Sequence, residues 1–510
     1  MTQILVIHNL SKLQRKTTIE FALSFGRYAP TDTEVTHHHI RRPINDALRH
    51  RRFDAVFISY EVLSLRASPQ WEWAMEQLLE LRELADMVVA FPQDDYTYNK
   101  VLDDGLAALG TDVIYTPIET GLDLVYPKMS KRARLGHALT GYVDERTATA
   151  RSSLAPMADR TINIGQRVRL LPPWFGISAR EKGIFAERFV ERANEAGYPV
   201  DISTREEDAF RNYGWYEFLS RCRATIGQKG GASLCDPDGS IMEAVVSYTE
   251  LHPAAEFNEI EAACFPGLDG RAEMRAVSPR LFDAAMLGTV QILVEDDYLG
   301  EFEPWTHYIP TDLDITNFDE ITEALADTHR LETIAHAARL ALIDSGRYTY
   351  RAFVERILEE TVGRASPLSP KPQPAASPVE PLDQLQWRLT EGLFEAVQRI
   401  SYLAWVTEAL PDLERLVRSV AELLDEHPAL STHLDTEFLT SLAGASLPLT
   451  HALETIRGPL VDTAVECARL GAISALADHI AQLQSSPPEE WQLHPWAGRD
   501  RLELDAAIDQ

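Results

Sequence analysis

Cysteine is scarce: Cys222, Cys235, Cys264 and Cys467 are the only four in 510 residues. So few thiols, with no CxxC pair among them, build neither a disulfide framework nor a cysteine zinc site, and ordinary thiols in a reducing compartment are expected. Positive charge is short too. There are 48 Lys+Arg against 78 Asp+Glu, a formal net charge of −30, and only eight of the 48 are lysines. Such a field repels a phosphate backbone and an anionic membrane surface, which excludes nucleic acid and lipid as general partners. One small anion in a local basic pocket remains allowed. No 18 apolar residues run together, so no transmembrane helix is expected. The chain opens on Ile4-Leu5-Val6-Ile7 without the basic region or cleavage site of a signal peptide, and a cytoplasmic protein is expected.

What is present is globular. Hydrophobic residues at 45% and charged residues at 25% exclude wholesale disorder, and 510 residues allow roughly three domains. Residues 1–150 alternate short apolar runs (Ile4–His8, Glu34–Ile40, Phe53–Ser59, Met87–Phe91, Asp112–Thr116) with helical patterns such as Trp71–Ala85. That alternation predicts βαβ units around a parallel sheet, whose strands are apolar throughout because both faces are buried. Residues 151–362 repeat the pattern, from Ile162–Leu170 through the helix Arg180–Ala196 to the strand Val290–Val294 and the helix Tyr348–Val362.

The composition then changes. Ala365–Pro381 holds six prolines in seventeen residues, so 363–382 reads as an extended linker. Beyond it, 383–510 shows apolar residues only at helical spacing, as in Leu389, Leu393, Phe394, Val397 and Ile400. A small acidic helical bundle is expected there, a surface for a protein partner or a second copy of the chain.

Several local patterns can carry chemistry. Ser278–Thr289 reads SPRLFDAAMLGT and precedes a strand. Arg280 at its start can meet a diphosphate and Asp283, three residues on, a ribose; a surface ion pair is the alternative. Ile226–Gly231 reads IGQKGG. Its glycines admit a ligand close to the backbone beside Lys229, or form a plain loop. Asp94 and Asp95 follow a buried strand, where open sheets bind ligands, or cap the next helix. His8 ends the first strand and can serve as a general base, or as a hydrogen-bonded structural residue. His37-His38-His39 is not a metal site, because strand alternation points the middle ring away from its neighbours.

These patterns stand in one order with Trp215–Leu219, Asp236–Gly239 and His307–Pro310, and with Pro92–Tyr96, Thr140–Val143 and Arg160–Arg167 upstream. Over residues 1–362 the combination resembles bacterial glycosyltransferase-like proteins of surface-polysaccharide gene clusters, relatives of the CgeB-like glycosyltransferases. The resemblance implies a GT-B fold: two facing Rossmann-like α/β domains, here 1–150 on the acceptor side and 151–362 on the nucleotide-sugar side, with a final helix crossing back. It implies that Arg167 and Lys182 meet the diphosphate and that Asp283, where the family usually has Glu, meets the ribose. Lys229, Gly230, Gly231, Ser233, Arg280, His307 and Tyr308 complete the donor-side candidates. His8, Asp94 or Asp95 would be the base. No bound metal and no cofactor are implied.

The expectation is therefore a hexosyltransferase-type enzyme moving a sugar from a nucleotide diphosphate to a glycan or protein acceptor. A non-catalytic GT-B-like scaffold or regulatory protein is the alternative.

Overall fold

The computed structural model describes residues 2–364, apart from 11–15, 42–43, 45, 146–147, 149–154 and 211. The expected linker beyond Arg364 and the expected helical bundle lie outside the described residues. Among the described residues, no helix is long and apolar enough to cross a membrane.

Six parallel strands form the first sheet: β1 (Thr2–His8), β2 (Thr33–His39), β3 (Phe53–Ile58), β4 (Ala85–Ala90), β5 (Val113–Thr116) and β6 (Arg134–His137). Their order is β2-β1-β3-β4-β5-β6. Alternation divides β1 between two cores. Leu5 and Ile7 pack with Leu78 and Leu81 of the helix Trp71–Arg82 and with Leu102 and Leu106 of Asn99–Leu109. Ile4 and Val6 pack with Phe21 and Phe25 of the helix Lys16–Tyr28. Both faces are covered, which is why β1 carries no polar alternation before His8.

The second sheet contains β7 (Ile162–Arg167), β8 (Asp201–Ser203), β9 (Cys222–Gly227), β12 (Val290–Val294) and β13 (Ile309–Thr311), in the order β13-β12-β9-β7-β8. All of its pairings are parallel. Between β9 and β12 the chain forms a small antiparallel ribbon, β10 (Gly230–Ala232) with β11 (Met274–Ala276). Ala232 and Met274 of this ribbon are buried in the first domain's core, so the second domain sends an arm into its neighbour.

The two sheets are wound alike. In each, the chain leaves the first strand to one side and returns on the other, creating a switch point between β1 and β3 and another between β7 and β9. The carboxyl ends of the strands face the other domain. After β4, the Tyr96 carbonyl accepts from the Asp236 amide at 2.9 Å, and Thr140 Oγ1 donates to the Val277 carbonyl at 3.0 Å. At the end of β6, His137 lies within electrostatic reach of Lys229, which follows β9. The chain crosses between domains near Val143 and Thr349, which pair as a parallel bridge. The last α-helix among the described residues, Tyr350–Glu360, then packs on the first domain, where Phe353 meets Phe21 at 5.2 Å and Tyr142 at 4.4 Å.

Candidate functional site

Open α/β sheets bind ligands in the crevice outside the carboxyl ends at a switch point. At the β7/β9 switch point a partly open cavity lies between the end of the sheet and the helix Arg280–Met286. Lys182 and Arg280 form its basic side, and Gln166, Thr225, Gln228 and Gln291 contribute neutral polar groups.

Lys182 projects from the helix Ile177–Glu195, which follows β7. The start of that helix is pinned: the Ile177 amide donates to Asp269 at 3.0 Å and the Ser178 amide to Ser233 Oγ at 3.1 Å. Gly183 lets the loop after β7 pass directly over the helix, since a Cβ there would stand 2.8 Å from Leu170 Cα. Lys182 is thereby held beside the strand ends. Burial pushes its ammonium down to about 7, and the Arg280 charge pushes the same way. No carboxylate among the described residues pairs with it. A half-buried cation beside a second cation suits an anionic ligand.

Arg280 is tied to the end of β7. Its Nη1 donates to Gln166 Oε1 at 3.2 Å and to the Arg167 carbonyl, and its guanidinium lies 4.5 Å from the Trp215 ring centroid. Trp215 Nε1 in turn donates to Asp283 at 3.1 Å. Asp283 lines a different cavity, between the domains, with Thr17, Glu20, Tyr142, Tyr216 and Tyr350. Sequence spacing put Arg280 and Asp283 on one face for one ligand. Trp215 inserts between them instead.

Other expected donor contacts also take different places. The Arg167 guanidinium pairs with Asp201 at 2.7 Å and stacks 4.3 Å over the Phe218 ring, so it braces β8 and does not line the cavity. Lys229 pairs with Asp296 at 3.3 Å, outside the cavity wall. Gly231 has φ +140°, and a Cβ there would fall 2.0 Å from the Met274 carbonyl oxygen. Its missing side chain admits strand β11, not a phosphate. Gly230 has open space around it. Ser233 is buried and donates to Asp269 at 2.7 Å. His307 stacks on Phe302 and accepts from the Glu303 amide at 2.9 Å. Tyr308 is buried against Phe302 and Tyr298, so this pair supports the cavity wall from behind.

In the first domain, His8 is buried at the end of β1, with the rings of His37 and His39 5.9 and 5.2 Å away. Alternation separates His38 from its neighbours, and His8 joins the other two from the adjacent strand. Among the described residues no group of three His, Cys, Asp or Glu is placed to hold a metal ion. Asp95 is fully enclosed, accepts from Thr116 and Tyr126, and lies near Arg66. Burial pushes its carboxyl up, and nothing here lets it reach an acceptor: it ties the loop after β4 to β5. Asp94 is exposed, at φ 49°, and accepts from the Tyr96 hydroxyl at 2.9 Å. Buried Arg66 fixes this loop by donating to the carbonyls of Asp94 at 2.7 Å, Thr97 at 2.9 Å and Gln93 at 3.1 Å.

Sequence reasoning passed over Glu61. It follows β3 at the first switch point and accepts from the Asn9 amide at 3.4 Å, while its Oε2 is buried without a partner. Burial pushes its carboxyl up to about 7. Its signal was position alone, two residues beyond an apolar strand.

No protein-family model matches the chain, and no curated protein matches its sequence. Solved structures do. An alpha-glucosyltransferase in complex with UDP is 12% identical, covers 71% of this chain and 100% of its own, and has a TM-score of 0.42. HepE of Anabaena in complex with UDP and glucose is 9% identical, with coverages of 71% and 100% and a TM-score of 0.38. Sucrose-phosphate synthase from Thermosynechococcus elongatus is 11% identical, with coverages of 72% and 100% and a TM-score of 0.38. A likeness of this size assigns no activity to the chain.

Proposed function

We propose that the protein is a GT-B-type glycosyltransferase that takes a sugar from a nucleotide-diphosphate donor and passes it to an acceptor hydroxyl. The observation that carries this reading is Lys182, a cation without a carboxylate partner, set beside Arg280 in the cavity at the β7/β9 switch point. In a chain of net charge −30, two adjacent cations in a cavity mark a place for a strong anion.

The chemistry follows from that placement. The acceptor oxygen bonds to the anomeric carbon as the bond from that carbon to the diphosphate oxygen breaks, and the electron pair leaves with the diphosphate. Lys182 and Arg280 stabilise the charge that develops there. The acceptor's proton goes to a group of the first domain. Of the three residues expected for this, Asp94 is the one exposed to solvent, and we assign it the role of base. That no metal takes part, and that the donor sugar is a hexose, belong to the same proposal. So do a glycan or protein as acceptor and a place in surface-polysaccharide synthesis in the cytoplasm.

The scaffold alternative has one observation in its favour: Asp283, the expected ribose contact, accepts from Trp215 and lines another cavity. Incubation with UDP-, GDP-, CDP- and TDP-sugars distinguishes the two readings. An enzyme slowly releases free nucleoside diphosphate from one of them even without acceptor, and Lys182→Met abolishes the release. A scaffold releases none.

A further inference from the structure

The cavity beside Lys182 has a second chemical character below its basic side. Thr225, on β9, and Gln228, just beyond its end, both line it and are at least nine-tenths buried, at 6% and 9% exposure. Thr225 Oγ1 and Gln228 Oε1 have no hydrogen-bond partner. The two neighbouring glutamines each have a partner in the protein. Gln166 Nε2 donates to the Ile226 carbonyl and its Oε1 accepts from Arg280, while Gln291 Nε2 donates to the Leu281 carbonyl at 3.2 Å. A buried polar atom left unpaired is costly, so the cavity holds two unmet demands, and an anion, which offers no donor, cannot satisfy the one at Gln228 Oε1. Gln228 Oε1 needs a donor, and the Thr225 hydroxyl can give or take one hydrogen bond.

We propose that Thr225 and Gln228 bind hydroxyl groups of the sugar carried on the diphosphate, and so set the enzyme's preference for a hydroxylated donor sugar over a deoxy one. The inference rests on the glycosyltransferase reading above. Lys182 and Arg280 hold the diphosphate, and the neutral pair receives the group attached to it. A sugar hydroxyl can donate to Gln228 and exchange with Thr225, meeting both demands at once. A deoxy position leaves them unmet, and a site built to pair a hydroxyl discriminates strongly against a ligand that lacks it.

The test compares each nucleotide with its sugar conjugate. UDP and UDP-glucose, GDP and GDP-mannose, and TDP with TDP-glucose and TDP-rhamnose are titrated calorimetrically against wild type, Thr225→Val and Gln228→Met. Both substitutions keep side-chain volume and remove hydrogen-bonding capacity. For the pair that binds, each variant is expected to weaken the sugar conjugate about 5- to 10-fold while the bare nucleotide changes less than about twofold. Equal losses for nucleotide and conjugate, or no loss for either, overturn the assignment of Thr225 and Gln228 while leaving the diphosphate site intact. If wild type binds none of the nucleotides, the glycosyltransferase reading itself falls, and this inference with it. Circular dichroism of the variants separates lost contacts from lost folding.

Discussion

The guanidinium of Arg280 lies 4.5 Å from the ring centroid of Trp215. Trp215 lies 65 positions earlier in the chain, and it decides what the helix Arg280–Met286 does. Its ring shields one side of the guanidinium and its indole N–H holds Asp283 at 3.1 Å, so the two charged residues serve different cavities. Trp215→Leu removes both contacts. It is expected to weaken nucleoside-diphosphate binding about 5- to 30-fold, since the cation–π contact that holds Arg280 in place is worth about 1–2 kcal/mol. Calorimetry on the variant, with folding checked by circular dichroism, reads the effect. Unchanged affinity would place the anion away from Arg280.

At the proposed site, Lys182 should make diphosphate binding depend on pH. Its ammonium titrates near 7 in the free protein, so above that value binding must first recharge it. Affinity for the diphosphate should fall with rising pH by up to about tenfold per unit until the pKa of the bound form is reached. Titrations in two buffers of different ionisation enthalpy should reveal proton uptake at pH 8. Lys182→Met should show neither slope nor uptake. Stability runs the opposite way: unfolded lysine binds its proton up to about pH 10.4, so this group's contribution rises between about 7 and that value.

Glu61 has the reverse sign. Its folded pKa of about 7 stands above the ordinary 4.5, so between those values the folded protein holds a proton that the unfolded chain has released. Its contribution to stability is fully present below about pH 4.5 and is lost as pH rises through 7. Glu61→Gln should therefore stabilise the protein at pH 8, by up to about 3 kcal/mol, and change little at pH 4.5. Thermal unfolding of the variant and wild type at both pH values checks this. A variant less stable than wild type at pH 8 would mean that the carboxylate has an uncounted partner.

The strands of the first domain were legible because burial on both faces makes them continuously apolar. β6, Arg134–His137, was not: it ends the sheet order and carries Arg and His. β10 and β11 were missed because three residues each leave no periodicity to read. Of the residues that line the candidate cavity, Arg280 stood out by its local pattern and Lys182 through family resemblance. Thr225 was hidden inside an apolar strand. Asp95 read as a ligand-binding or helix-capping acid after a strand, and its burial depends on Thr116, Tyr126 and Arg66, which are distant in sequence. Local spacing shows which residues are neighbours on a helix, but not what a distant tryptophan places between them.

Gly231 tests the reading of the glycine loop. Its φ of +140° is a conformation that side chains rarely adopt, and a Cβ would strike the Met274 carbonyl oxygen. Gly231→Ala should lower stability by at least about 2 kcal/mol, by prising β11 from β10. The midpoint of thermal unfolding reports it. Gly230→Ala, with open space around it, is the control and should cost much less. Equal costs at both positions would contradict the ribbon's geometry.

The proposed function stands on Lys182 and Arg280 holding a diphosphate. Its most direct test is calorimetric titration of UDP, GDP, CDP and TDP into wild type and Lys182→Met at pH 7. The account predicts that at least one nucleotide binds wild type and that the substitution weakens it about 10- to 150-fold, the worth of a charge-assisted contact of about 1.5–3 kcal/mol. A nucleotide that binds both proteins equally, or no binding to wild type at all, would contradict it.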